Sequence, residues 1–269
     1  MSIFSLLSGL AIATYALTGV FLFRRIRLDD GLNRSRAWPM ALGVALALHS
    51  TALWVHSWPL RSLDFSLIAA VSLVACVMGW ITLGLSLRLR AGDLALLLLP
   101  FLALSALLHA VFSAHSRAPE ALSWQIGSHV LIAIGAYSAL ALAALKAILL
   151  LIQDRLLRHP KRLNWLAALP PLDEGERLLF ALISMGFGLL TLTLLSGVLF
   201  IENLLAQHLV HKTTLSVLAW VIFGVLLFGR QRYGWRGKRA LRWTLVGMGV
   251  LALAFLGSKF VLELVLNRV

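Results

Sequence analysis

Charge is scarce in this chain. Only 13% of its 269 residues are charged, and just 11 of them are acidic. A soluble domain carries about 25% charged residues, so an ordinary water-soluble fold is excluded at the outset. With so few carboxylates, no acid–base carboxylate pair can be read. Neither a nucleophile triad nor a glycine-rich phosphate loop is present, and the expectation is a protein that is not an enzyme. Cysteine is limited to Cys76, inside an apolar run, which rules out a disulfide framework or a CxxC redox pair within the chain. Alternation of apolar and polar residues is also missing. A membrane β-barrel needs segments of about 10 residues that alternate, whereas stretches such as ALLLLPFLALSALL do not.

What the chain has instead is apolar length. Hydrophobic residues make up 60% of it, in eight segments at roughly 2–23, 38–58, 65–87, 94–113, 127–152, 178–200, 213–229 and 241–266. A helix needs about 20 apolar residues to cross a bilayer, and backbone groups must be bonded internally there. The expected fold is therefore an all-α polytopic bundle of about eight transmembrane helices, a single integral membrane domain over residues 1–269. The first run is too long for a signal-peptide core and reads as a retained span. The longest connection, 153–177, carries Pro160, Pro170 and Pro171 and room for a short surface helix at 163–169. Asp173, Glu174 and Glu176 precede the sixth span, where acidic groups suit the positive end of a helix dipole.

The net charge of +13 would suit nucleic acid, but its distribution does not. Lys and Arg number five in 24–37, one in 59–64, two in 88–93, one in 114–126, five in 153–177, one in 201–212 and five in 230–240. Odd-numbered loops are consistently the richer, and the positive-inside rule assigns them to the cytoplasm. Both termini are then expected outside. Seven of the eight histidines fall toward the outer half, leaving only His159 on the cytoplasmic side.

Most of these histidines have ordinary readings. His56, His115 and His208 read as wet interfacial groups, His159 as a surface group, and His109 as a helix-end residue bonded to a carbonyl. His49 differs, because it interrupts ALALHSTALW about eleven residues into its span, roughly 16 Å deep. An ionisable group at that depth calls for a partner, a cavity or a cofactor. His129 opens the fifth span in SHVLIAIGAYS, next to small and aliphatic residues. A neutral imidazole there suits an axial ligand to haem iron, although composition does not choose haem over zinc. His208 and His211 form an HxxH pair that shares one face if helical. Lys259 and Glu263 are spaced for an i, i+4 ion pair near the end of the last span.

The final third carries a more specific pattern. From Lys212 it reads KTTLSVLAWVIFGVLLFGRQRYGWRGKRA, with Trp220, Arg230 and the run Gly234-Trp235-Arg236-Gly237. Together with His129 followed by Tyr137, this resembles the CcsA-like cytochrome c assembly family over roughly 120–265. Residues 201–212, IENLLAQHLVHK, hold no tryptophan where the family has its WWD loop. Phe228 stands where the family has a histidine, and the later histidine of the pattern is absent. The chain is therefore similar to the shorter HemX- or YpjD-type branch.

The resemblance implies a haem-associated protein of a bacterial inner (cytoplasmic) membrane, with both termini periplasmic. It would bind haem b non-covalently in the outer half of the bundle and hold or relay it, with His129, His49 and His211 as candidate iron ligands in that order. Expected partners are membrane lipid, haem and another membrane protein, with no nucleic acid. Two alternatives accompany this reading. One is a cofactor-free regulatory or partner subunit. The other is a small-solute transporter, against which stands the lack of paired broken spans.

Overall fold

The computed structural model describes residues 3–27, 37–57, 67–112, 123–158, 169–200 and 207–254. These form eight helices: α1 (Ile3–Arg27), α2 (Ala37–Ser57), α3 (Leu67–Ser86), α4 (Gly92–Phe112), α5 (Trp124–Leu157), α6 (Leu172–Phe200), α7 (Gln207–Tyr233) and α8 (Gly237–Ala252). Seven of them, α1 to α7, are long and apolar enough to cross a membrane. The protein is an all-α, multi-pass membrane bundle. The eighth apolar segment begins as α8, and its part beyond residue 254, with Lys259 and Glu263, lies outside the described residues. Of the surface helix expected at 163–169, only Leu169 is described.

Three helices clearly outrun the apolar runs: α5 has 34 residues, α6 has 29 and α7 has 27. Extra turns lie where the sequence turns polar, at Asp154 and Arg155 in α5, Asp173 and Glu174 in α6, and Arg230 and Arg232 in α7. A helix emerging into water can continue on charged residues, because its backbone bonds stay internal. Pro171 stands immediately before α6, a place where a missing amide costs nothing. Asp173 and Glu174 occupy its first turn, as the dipole favours. Gln153 Nε2 donates to the Pro170 carbonyl (2.9 Å), tying the end of α5 to the start of α6.

The chain divides into two compact units. The first is drawn from Met1–Leu122 with Ile152–Leu178. In it α1 packs on α2 and α4, and α3 packs on α2 and α4. Its core is small and aliphatic, with Ala45, Leu46, Leu94, Leu98 and Leu102 almost completely enclosed. The second is drawn from Ser123–Leu151 with Leu179–Val269, so α5 and α6 each contribute to both.

Close helix approach in the second unit rests on glycine. A Cβ added at Gly186 would meet Leu140 Cγ and Cδ2 at 2.6 Å and the Leu140 backbone nitrogen at 3.2 Å. That approach lets α5 and α6 touch nearly backbone to backbone, the usual source of packing energy where lipid offers no hydrophobic gradient. Between α7 and α8, Gly234 and Gly237 both have positive φ (63° and 56°), which only glycine adopts without strain. They fold the chain so that the Trp235 amide reaches the Gly229 carbonyl (3.1 Å). A Cβ at Gly229 would strike the Trp235 indole at 2.5 Å.

Gly186→Ala should therefore lower the unfolding temperature in detergent, by an overpacking cost of about 1–3 kcal/mol. Gly188→Ala, two residues along and with nothing within 4 Å, should leave it unchanged or raise it. A thermal melt followed by circular dichroism separates the two. Equal destabilisation by both would refute the close approach.

Candidate functional site

The histidines fall into three settings. His49 is almost fully enclosed in the first unit. Its Nδ1 lies 3.2 Å from the Tyr15 hydroxyl on α1, and its Nε2 lies 2.9 Å from Ser72 Oγ on α3. A neutral imidazole offers one donor and one acceptor, and hydroxyls can serve both. His49 is thus bonded through both nitrogens, stitching α1, α2 and α3 at mid-depth. One helical position further, Ser50 Oγ receives the Trp80 indole N–H (3.1 Å) and contacts Cys76 Sγ (3.3 Å). The lone cysteine is a packed member of this polar layer.

His129 is set differently. It is half-buried near the start of α5 in the second unit, with Nδ1 2.9 Å from Ser196 Oγ on α6. Ser196 spends its single proton on the Thr193 carbonyl (3.0 Å). With that proton on Thr193, Ser196 accepts from His129, an assignment that satisfies both contacts and puts the imidazole proton on Nδ1 and the lone pair on Nε2. Metal-bound histidines have this arrangement, with the far nitrogen held by a hydrogen bond that fixes tautomer and ring plane. Close to the same helix ends, Trp124 and Phe200 meet edge to face at 5.9 Å.

The third setting joins His56 and His109, in the last turns of α2 and α4. Their rings are 5.1 Å apart at 87°, and Phe4 packs against both. His109 is buried, and His56 Nε2 is closed to solvent without a hydrogen-bond partner. The expectation of a wet interfacial His56 does not hold for that atom. His49 and His129 fall in different units. His211 lies in α7, but its side chain and those of His115, His159 and His208 are outside what is described. Among the described residues no three His, Cys, Asp or Glu side chains gather as a metal cluster.

The residues of the C-terminal pattern serve the frame of the second unit. Trp220 Nε1 donates to Thr191 Oγ1 (2.8 Å), and its ring stacks on Phe187 (5.6 Å, 16°), joining α7 to α6. The Arg230 guanidinium lies 4.5 Å over the Phe180 ring and points Nη1 at the Trp235 carbonyl (3.4 Å). Trp235 stacks with Trp243, and Arg239 covers Trp235. Among the buried charged groups, Asp93 and Lys146 both escaped the reading of the sequence; Lys146 is only 1% exposed, inside α5. Its signal was a lone cation within ALALAALKAILLL, an expensive placement in an apolar run.

Residues 38–266 match the model of the cytochrome c assembly protein family. The chain belongs to that family. Among its relatives, inner membrane protein YpjD of Escherichia coli strain K12 is 36% identical over 137 residues, covering 51% of this chain and 52% of that protein. A 28.8 kDa protein from the nifR3-like 5′ region of Azospirillum brasilense is 30% identical over 225 residues, 81% of this chain and 76% of the relative. The cytochrome c biogenesis protein CcsA of Synechococcus sp. strain JA-3-3Ab is 30% identical over 83 residues, 30% of this chain and 24% of that protein. The match with YpjD takes in about half of each chain. No solved structure matches.

For this family member, the His49 layer has a direct structural consequence. Tyr15→Phe and Ser72→Ala each remove a partner from a buried ring nitrogen and should destabilise the protein by about 1–3 kcal/mol. Because both act on one imidazole, their effects should not add. Thermal melts of the two single variants and the double variant test this, and fully additive losses would refute the shared network.

Proposed function

We propose that this protein holds haem b non-covalently, with His129 Nε2 as an iron ligand, and keeps or relays it for a partner in a bacterial inner membrane. Membership of the cytochrome c assembly family supports a haem-related role. The observation that carries the reading is the hydrogen bond from His129 Nδ1 to Ser196, which leaves Nε2 with its lone pair. Bound haem would supply an iron able to accept the imidazole lone pair, with His129 as the residue that would hold it. The chain's own contribution is to hold the imidazole neutral, fix its plane through Ser196, and offer apolar helix surface to the macrocycle.

His49 fits less well as a ligand, because iron at either nitrogen would have to displace a hydroxyl that already satisfies it. It is read here as the group that joins α1, α2 and α3. His211 is kept as a candidate second ligand on its position in α7. The arginine-rich odd loops support periplasmic termini, which would put the His129 end of α5 on the outer side. A second reading, a cofactor-free partner subunit built on a haem-handling frame, draws on residues 201–212 lacking tryptophan and on Phe228 where the family pattern has histidine.

The protein purified in detergent should show a Soret band, as isolated or after haem addition. His129→Ala should abolish it. Ser196→Ala should weaken haem affinity by about 10–100-fold, the usual cost of losing a hydrogen bond behind a ligand. His49→Gln should keep the band while melting earlier. No Soret band in the wild type after haem addition would overturn the haem reading and leave the partner-subunit reading standing.

A further inference from the structure

In the first unit, His56 and His109 meet where α2 and α4 end, outside the groups assigned to haem. We propose that His56 and His109 form a cis two-histidine site for a late first-row divalent ion, Zn²⁺ or Cu²⁺.

The ring geometry separates a bare ion from haem. With metal–nitrogen bonds of about 2.1 Å and a ring centre about 1.1 Å beyond each nitrogen, two imidazoles at a tetrahedral angle have centres roughly 5 Å apart. Trans ligands on a haem iron have centres roughly 6 Å apart, with the porphyrin plane between them. His56 and His109 stand at 5.1 Å with their planes at 87°. That is the cis separation, and it is too short to admit a macrocycle.

Three further observations point the same way. His56 Nε2 is closed to solvent and has no hydrogen-bond partner, an arrangement that costs free energy and that a metal ion bound to this nitrogen would relieve. Both residues occupy the last turns of their helices, so two helix carboxyl ends, each with partial negative charge, converge on the pair and favour a cation. Phe4 packs on both rings and shields them from one side, at 5.0 and 5.5 Å. Imidazole suits zinc and copper among divalent ions. Among the described residues no third protein ligand joins the pair.

The site does not depend on the haem reading. The test uses the full chain in detergent, stripped with a chelator and then dialysed against Zn²⁺, with bound metal counted by mass spectrometry. Wild type should retain about one zinc per chain. His56→Gln and His109→Gln should each weaken binding about tenfold or more, while His129→Ala should lose haem and keep zinc. Cu²⁺ bound to the wild type should show electron-spin-resonance splitting from two imidazole nitrogens, a readout that needs no variant and stands even if a variant misfolds. No zinc retained by the wild type, binding undiminished in well-folded variants, copper splitting from fewer than two nitrogens, or haem lost with His56 or His109 would each overturn the proposal.

Discussion

In hydrocarbon, no polar group can leave its bonds to water, and most of this structure follows from that. The backbone answers by being helical. The small hydroxyls answer by bonding back to their own helices: Thr18 to Thr14, Thr82 to Met78, Thr191 to Phe187 and Thr244 to Ala240, each at 2.7–2.9 Å. Such residues are polar by composition and apolar in effect. Larger polar groups cannot satisfy themselves this way, so they reach across to another helix, and those reaches define which helices belong together. His49 draws on α1 and α3, Trp220 draws on α6, and Gln153 closes onto Pro170.

The same constraint gives meaning to the nitrogens left over. An imidazole bonded twice, like His49, has no chemistry to offer without dismantling its layer. An imidazole bonded once through a hydroxyl whose own proton is committed, like His129, has its lone pair defined and directed. Depth alone would favour His49 as the reactive histidine. The hydrogen-bond account reverses that order, because the price of burying His49 is already met by Tyr15 and Ser72.

The bundle was legible because hydropathy reports length and composition, and length is what a span requires. The runs at 38–58 and 94–113 agree with α2 and α4 within two residues at each end. The long ends of α5 and α6 were not legible, since helix leaving the membrane takes on the composition of a loop. Nor were the neighbours. The spans are apolar on nearly all sides, so no stripe marks which face meets which helix, and neither the Tyr15–His49–Ser72 layer nor the meeting of His56 with His109 could be read. The C-terminal pattern was legible as kinship. Its local meaning, a glycine turn with an indole seated on Gly229, required coordinates.

The family match runs through both units, but the motif residues read from the sequence do not. The residues that carry the family resemblance, from His129 and Tyr137 to Trp220, Arg230 and Trp235, all fall in the second unit. The first unit holds His49, His56 and His109, the lone cysteine and a buried carboxylate at Asp93. Its histidines form a satisfied layer at mid-depth and an enclosed pair where α2 and α4 end. In a bundle where even threonine hydroxyls find carbonyls, a ring nitrogen closed to solvent without a hydrogen bond, as at His56, is costly, and that cost is what the proposed ion at the ends of α2 and α4 would relieve.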